Sequence, residues 1–245
     1  MERIQLYLNP DRPLDQEELD EFRPLIKERK EGHPLQYITG QTSFMGLPLK
    51  IDDRALIPRP ETEEMTERIV ARFRDRRGLK ALDLGTGSGA IAIALARFLV
   101  DPEITAVDKS PDALELAREN AEKNDLADSL EFVKSDWFSE ISETYDLIVS
   151  NPPYVASPEI KELKEEIKGH EPAGALNGGE GGLKEIKRLL REVEEYLKGG
   201  GTIFLEIGHD QGEAVQDIAR KSRLKEVEII CDARGKDRIF QASKE

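Results

Sequence analysis

The sequence of 245 residues predicts an α/β protein built on one mostly parallel sheet with helices on both faces. From residue 80 onward, short apolar segments typical of buried strands alternate with segments of helical periodicity, which is the pattern of βα units. The length suits one large α/β domain with a small appendage. Hydrophobic residues make up 38% of the chain, so there are enough of them for a packed core.

The predicted elements of this domain follow one another in βα order. In such sheets ligands bind beyond the carboxyl ends of the strands, so we expect the chemistry at that edge. The last two apolar segments, VEIICD and RIFQAS, are expected to form an antiparallel pair that closes the sheet. Strands are expected at KALDL, ITAVD, LEFVK, YDLIVS and GTIFLEI, and helices over 90–99, 111–124, 183–197 and near 211–221.

The N-terminal part divides into two smaller units. Residues 1–33 are polar, and Asp15 followed by Glu18 predicts a helix that starts with a capping box. Pro24 is expected to kink or end that helix.

The second unit, residues 34–77, is expected to hold a β-hairpin within 36–51 and a connecting helix over about 61–76. Residues 78–245 form the large domain, in which the charged, glycine-rich segment 155–182 is expected to be a loop or lid.

Composition argues against several classes of function. The net charge of −14 disfavours a nucleic-acid partner, because binding to a phosphate backbone depends on Lys and Arg. The single cysteine, Cys231, excludes an internal disulfide, and three distant histidines suggest no metal site. The start lacks the apolar core of a signal peptide, and no stretch of 18 apolar residues occurs, so we expect a cytoplasmic protein without a membrane partner.

The first candidate motif is LGTGSG, which follows the strand KALDL and opens a helix. Glycines let the backbone approach a ligand closely, and the free N–H groups at a helix start can receive an anionic group. The alternative is a tight turn without a ligand. The candidate cofactor-binding residues here are Gly85, Thr86, Gly87, Ser88 and Gly89.

Acidic residues that follow the neighbouring strands strengthen this interpretation. Asp108, about 20 residues beyond the glycine turn, is placed to accept hydrogen bonds from both hydroxyls of a ribose. Asp136 could accept from an adenine amino group and Trp137 could pack on the ring, although Trp137 could equally fill the edge of the sheet. Asp83 either faces the cofactor or ends its strand. These residues favour a nucleoside cofactor without choosing between a dinucleotide and S-adenosylmethionine.

The tetrapeptide NPPY follows the apolar strand YDLIVS. Its prolines, Pro152 and Pro153, fix the backbone, so the loop can present a rigid carbonyl group. Asn151 adds a side-chain carbonyl and Tyr154 an aromatic wall. A proline-rich turn without function is the weaker alternative at this edge of the sheet.

Together with these motifs, further segments of the sequence carry a family resemblance. The chain resembles the N5-glutamine methyltransferases that modify class 1 peptide release factors, over nearly its whole length. The combination of IPRPETE with NPPY is far more specific than NPPY alone. The segments are PLQYITGQTSFMGLPL (34–49), LIPRPETE (56–63), LDLGTGSGAIAIALA (82–96), SNPPYV (150–155), EPAGALNGGEGGL (171–183) and LEIGHDQ (205–211).

The resemblance implies a Rossmann-like, seven-stranded class I methyltransferase sheet preceded by a helical domain that helps to dock the release factor. Only about 33 residues precede PLQYITG here, so this domain is expected to be shortened. The implied reaction transfers a methyl group from S-adenosylmethionine to the glutamine of a Gly-Gly-Gln loop.

The same resemblance implies roles for individual residues. The Asn151 side-chain oxygen and the Pro152 carbonyl would accept the two amide hydrogens, with Asn151 also near the cofactor. Pro153 and Tyr154 would complete the substrate pocket. Phe44 is a candidate for a second wall, and a place in the core is the alternative for it.

Other functions share part of this pattern. N6-adenine methylation of DNA or RNA uses the same NPPY chemistry, but it requires a flipped base and a basic groove. Methylation of a glutamine in a ribosomal protein is a second alternative. A cofactor-binding module without catalysis and a dehydrogenase are disfavoured, since neither gives NPPY a role.

Overall fold

A computed structural model of the chain describes residues 7–8 and 11–245. The prediction of an α/β fold is confirmed. From residue 11 onward the helices are α1 (Gln16–Lys30), α2 (Leu35–Thr39), α3 (Pro60–Phe73), α4 (Ala90–Phe98), α5 (Pro111–Lys123), α6 (Glu165–Lys168), α7 (Ala173–Leu176), α8 (Lys184–Tyr196) and α9 (Gly212–Ala219). The strands are β1 (Gln41–Phe44), β2 (Leu47–Lys50), β3 (Lys80–Leu84), β4 (Glu103–Asp108), β5 (Leu130–Lys134), β6 (Tyr145–Ser150), β7 (Leu197–Glu206), β8 (Leu224–Cys231) and β9 (Asp237–Lys244).

Seven strands form the main sheet in the order β5-β4-β3-β6-β7-β9-β8. Strands β3 to β7 run parallel, and β9 is antiparallel to both β7 and β8, which confirms the predicted closing pair. The strand order reverses between β3 and β6, where one series of crossovers proceeds toward β5 and the other toward β8. Such a switch point is where open α/β sheets leave a crevice for ligands.

Apolar side chains cover both faces of this sheet because alternate residues of a strand point to opposite sides. On one face Leu147 and Phe204 belong to a cluster that includes Ile69 of α3 and Ile93 of α4. On the other face Ile148 belongs to a second cluster, which includes the buried face of α8: Ile186, Leu189, Leu190 and Val193. Both faces are therefore occupied, and a ligand has access only at the ends of the strands.

The N-terminal units differ in part from the expectation. Asp15 caps α1 and Glu18 completes the capping box, as predicted. Pro24, however, lies inside α1, so it does not end the helix, which was one of the two outcomes expected of it. The helix has no buried residue, so the carbonyl group that loses its partner at a proline can bond to water instead.

The predicted hairpin occupies only the second half of its segment. Residues 35–39 form α2, and β1 then pairs with β2 around a two-residue turn, with Phe44 opposite Leu47. Helix α3 follows with Pro60 in its first turn and Glu61 and Glu63 beside it, where acidic side chains interact favourably with the helix dipole. Glu63 also accepts a hydrogen bond from the Met45 amide, so α3 holds the turn of the hairpin.

The segment 155–182, expected to be a loop or lid, contains several short helical elements. It holds α6, α7 and two short 3₁₀ turns, and a bridge between Val155 and Asn177 ties its ends together. No helix in the described part of the chain is long and apolar enough to span a membrane.

Candidate active site

The glycine-rich loop and the NPPY loop are neighbours because β3 and β6 pair in parallel. Leu84 and Ser150 lie opposite each other at the ends of these strands. The Ser150 hydroxyl donates a hydrogen bond of 2.6 Å to the Leu84 carbonyl. Gly85 and Asn151 therefore leave the sheet side by side.

The glycine loop is held from below by a buried carboxylate. The Asp83 side chain accepts hydrogen bonds from the Thr86 hydroxyl (2.7 Å) and from the Ala92 amide in the first turn of α4 (3.2 Å). Burial raises the pKa of Asp83 to about 7, although these hydrogen bonds act in the opposite direction. Asp83 therefore supports the loop from beneath, a role that is neither of the two considered for it in the sequence.

Gly85 and Gly89 of the loop both have a left-handed backbone. Gly85 has φ +72° and lies against the indole of Trp137, which a Cβ atom would meet at an ordinary contact distance of 3.4 Å. Gly89, which precedes α4, has φ +82°, and a Cβ atom there would lie 3.1 Å from both Ala117 and Ile93. The loop is thus packed against α5, and its backbone is fixed in the shape that a ligand would meet.

Asp108 stands at the end of β4 with both carboxylate oxygens anchored. One oxygen accepts from the Gly87 amide at 3.0 Å and the other from the Ser110 amide at 2.9 Å. Each carboxylate oxygen has a second lone pair, so the group can still accept from a ligand. Ser110 in turn caps α5, and the order Ser110-Pro111 in the sequence is itself typical of such a helix start.

Asp136 and Trp137 follow β5 on the next strand end. Trp137 has a positive φ of 57°, and its indole N–H donates to Glu185 at 2.8 Å. Asp136 forms an ion pair with Arg188 of 2.8 Å. These contacts with α8 hold both side chains against the cavity that they line.

The NPPY loop is tied to two distant parts of the chain. The Asn151 side-chain amide donates to the Thr62 hydroxyl of α3 at 3.0 Å. The Tyr154 hydroxyl donates to Glu206, at the end of β7, at 2.9 Å, and burial raises the pKa of this phenol well above its usual range. Pro152 is buried, whereas Pro153 faces the cavity.

These strand ends line one cavity that is open to solvent. Most of the candidate residues line it: Gly85, Thr86, Gly87, Ser88, Asp108, Asp136, Trp137, Asn151 and Pro153.

Four candidate residues do not line this cavity. Gly89 and Pro152 are buried, and the Tyr154 hydroxyl is directed at Glu206. Phe44 is only 1% exposed and belongs to the core cluster around Met65, so it has the core position that the sequence also allowed.

Sequence reasoning did not single out Glu171, which fixes the lid. Glu171, whose side chain is 1% exposed, pairs with Arg59 at 2.5 Å and accepts from the Ile57 amide at 3.2 Å. The residues that follow it, Pro172, Gly174 and Ala175, line the cavity. The visible sign in the sequence was Glu171 itself, the first residue of EPAGAL, but its partner Arg59 lies 112 residues away in the chain.

Known proteins resemble this chain over most of its sequence. Residues 60–169 match the family model of the methyltransferase small domain, and residues 1–40 match that of the PrmC N-terminal domain. The release factor glutamine methyltransferase of Streptococcus pneumoniae is 45% identical over 91% of this chain and 80% of its own length. Those of Thermodesulfovibrio yellowstonii and Bacillus subtilis are each 39% identical, over 100% and 99% of this chain and 88% and 86% of their own lengths.

The chain belongs to the release factor glutamine methyltransferase family. The resemblance inferred from the sequence is thereby confirmed, together with the assignment as a methyltransferase. Solved methyltransferases share the fold: one from Pyrococcus furiosus has a TM-score of 0.62 and 19% identity, covering 89% of this chain and 98% of its own. A SAM-dependent O-methyltransferase from Thermotoga maritima has a TM-score of 0.56 and 17% identity, covering 78% and 67%.

The packing of the glycine loop generates a first prediction. Gly78 and Gly89 both have positive φ, but a Cβ atom at Gly78 would meet nothing within 4 Å. Gly78→Ala should lower the free energy of unfolding by about 1–2 kcal/mol, the cost of a left-handed alanine. Gly89→Ala should cost about 1–3 kcal/mol more, because its methyl group also enters the contact with α5. Urea denaturation measures both, and equal losses would show that the loop is not packed as described.

Proposed function

We propose that the protein transfers a methyl group from S-adenosylmethionine to the side-chain amide nitrogen of the glutamine in the Gly-Gly-Gln loop of a class 1 peptide release factor. The observation that carries this proposal is the position of Asn151, which lines the cavity directly beside the glycine loop. Membership of the family supports the substrate. An enzyme with this substrate acts where translation occurs, in the cytoplasm.

The residues around the cavity fit S-adenosylmethionine. Asp108 has lone pairs free for two ribose hydroxyls, and the Trp137 indole beside Gly85 offers an apolar surface for adenine. In this proposal Asp136, which lines the same cavity as Trp137, would accept from the adenine amino group. Ser88 and Ala90, where the loop passes into α4, line the cavity and would receive the amino-acid end, because helix starts favour carboxylates.

An amide nitrogen is a weak nucleophile because its lone pair is delocalised into the carbonyl group. When bound, S-adenosylmethionine supplies a methyl group that is attached to a sulfonium sulfur. As the bond from the methyl carbon to the amide nitrogen forms, the bond to sulfur breaks, the sulfur becomes a neutral thioether, and the nitrogen releases one proton to solvent. Two acceptors on the amide hydrogens would orient the nitrogen and raise its electron density. Asn151 Oδ1 and the Pro152 carbonyl are these acceptors in our proposal.

Both acceptors are available for this task. Within the described residues, no group donates a hydrogen bond to Asn151 Oδ1 or to the Pro152 carbonyl. The prolines hold that carbonyl rigidly, and the Tyr154 hydroxyl fixes the end of the loop to Glu206. Fixed dipoles of this kind require no reorganisation as charge develops in the transition state, which is how they accelerate a reaction.

The alternative substrates lack comparable support. A nucleic acid would have to approach a chain of net charge −14 and place a flipped base in the cavity. A glutamine in a ribosomal protein would use the same acceptors, so it has to be separated from a release factor by experiment.

Cofactor binding tests the role of Asp108. Asp108→Ala should weaken the binding of S-adenosylmethionine by about 1.5–3 kcal/mol, the usual range for hydrogen bonds to a charged group. Asp112→Ala is the matched control, because this acidic residue is exposed in the first turn of α5 and lies outside the cavity. Isothermal titration calorimetry measures both affinities. An unchanged affinity of the Asp108 variant would remove this residue from the cofactor site.

Mass spectrometry tests the substrate. The protein, S-adenosylmethionine and a purified class 1 release factor should yield one added methyl group on the Gly-Gly-Gln glutamine. A release factor with glutamate at that position should remain unmodified. Asn151→Ala should slow single-turnover transfer on the order of a hundredfold, as expected when one preorganised polar contact is removed from a reacting centre.

The comparison reactions contain a ribosomal protein fraction or a panel of DNA and RNA in place of the release factor. Methylation confined to either of these would overturn the proposed substrate. A rate of the Asn151 variant within a few-fold of the unaltered protein, a change smaller than about 1 kcal/mol in the barrier, would overturn the role of Asn151.

A further inference from the structure

A buried carboxylate behind the NPPY loop has no part in the chemistry described so far. Glu206 ends β7 and is 0% exposed. One of its oxygens accepts from the Thr62 hydroxyl at 2.5 Å, and the other accepts from the Tyr154 hydroxyl at 2.9 Å. A buried carboxylate requires hydrogen-bond donors, and here both donors, Thr62 and Tyr154, also tie down the NPPY loop.

Two charged residues and two hydroxyl groups act on the Glu206 carboxyl group. Burial raises the pKa of its carboxyl group, and the negative charge of Glu61 on α3 acts in the same direction. The hydrogen bonds from Thr62 and Tyr154 and the positive charge of Arg238 on β9 oppose this rise. Thr62, Tyr154 and Arg238 thus favour the ionised form, while burial and Glu61 favour the neutral form, and the net effect is a raised pKa.

The direction of the hydrogen bonds follows from the number of hydrogens available. The Thr62 and Tyr154 hydroxyls have one hydrogen each, and each directs it at one oxygen of Glu206. The Thr62 oxygen can then only accept from its other neighbour, Asn151, which must present its NH₂ group. The other end of the amide, Oδ1, is left for the cavity.

We infer that Thr62, set by Glu206, is a positioning residue that locks the Asn151 amide with its oxygen toward the methyl acceptor. If the amide turned over, it would present hydrogens to the hydrogens of the substrate amide, and the acceptor would be lost. The inference rests on the proposed function, in which Asn151 Oδ1 orients the amide to be methylated. It adds a residue 89 positions away from Asn151 in the chain.

Helix α3 provides its own control. Thr66 lies one turn after Thr62, is also fully buried, and donates its hydroxyl to the Thr62 carbonyl at 2.8 Å. This hydroxyl has no contact with Asn151 or Glu206. Thr66→Val and Thr62→Val therefore remove the same group from the same helix, and only the second breaks the path to Asn151.

The test measures single-turnover transfer to the release factor, the KM for the release factor and the affinity for S-adenosylmethionine by calorimetry. Thr62→Val should lower the transfer rate about tenfold, the factor that corresponds to one ordinary hydrogen bond. The KM and the cofactor affinity should change by less than about twofold, because the substitution frees the orientation of the Asn151 amide and this orientation matters for the transfer step. Thr62→Ser should restore most of the rate, and Thr66→Val should leave it unchanged.

A double-mutant cycle separates positioning from general damage to the fold. In a chain that already carries Asn151→Ala, Thr62→Val should cause no further loss, because Thr62 acts only through Asn151. Additive losses, or equal effects of the two valine substitutions, would overturn the inference. Melting temperatures show whether each variant is folded. If the unaltered protein methylates no release factor, the proposed function fails; if it does and Thr62→Val matches Thr66→Val, only the positioning role fails.

Discussion

The parallel pairing of β3 with β6 is the constraint on which the site depends. It brings two loops together that are about 65 residues apart in the chain, and the Ser150 hydroxyl closes the pair by its hydrogen bond to the Leu84 carbonyl. One loop offers a glycine-rich helix start and the other offers fixed acceptors. A change in register of one residue would move Asn151 away from Gly85 and turn its side chain to the other face of the sheet. The chemistry thus depends on backbone pairing as much as on side chains.

Buried polar groups then fix what the strands bring together. Asp83 holds the glycine loop from below, Glu171 holds the lid through Arg59, and Glu206 holds the NPPY loop through Thr62 and Tyr154. Each is a carboxylate almost excluded from water, which stabilises the fold less than an apolar side chain would. Their common property is that each determines the position of a cavity wall. This smaller contribution to stability occurs at the edge of the sheet where the proposed reaction requires fixed geometry.

Sequence reasoning could predict those parts of the fold and site that depend on local pattern. The βα alternation, the capping of α1 and α5 and the strand-end positions of Gly85, Asp108 and Asn151 follow from spacing that neighbouring residues carry. It could not predict the passage of α1 through Pro24, since that depends on the helix being exposed. It also missed Thr62, because its partners are brought to it only by the folded chain. A glutamate at the end of the apolar strand GTIFLE was the visible sign of that network.

The central claim is that Asn151 Oδ1 and the Pro152 carbonyl together hold the amide nitrogen that receives the methyl group. A crystal structure of the protein with S-adenosylhomocysteine and a peptide that contains Gly-Gly-Gln tests this claim most directly. The account predicts that the glutamine amide nitrogen lies within hydrogen-bonding distance of both oxygens, about 2.7–3.2 Å, with the cofactor sulfur on its open side. A glutamine amide held by other groups, or an Asn151 side chain that points its Nδ2 at the peptide and away from Thr62, would contradict it.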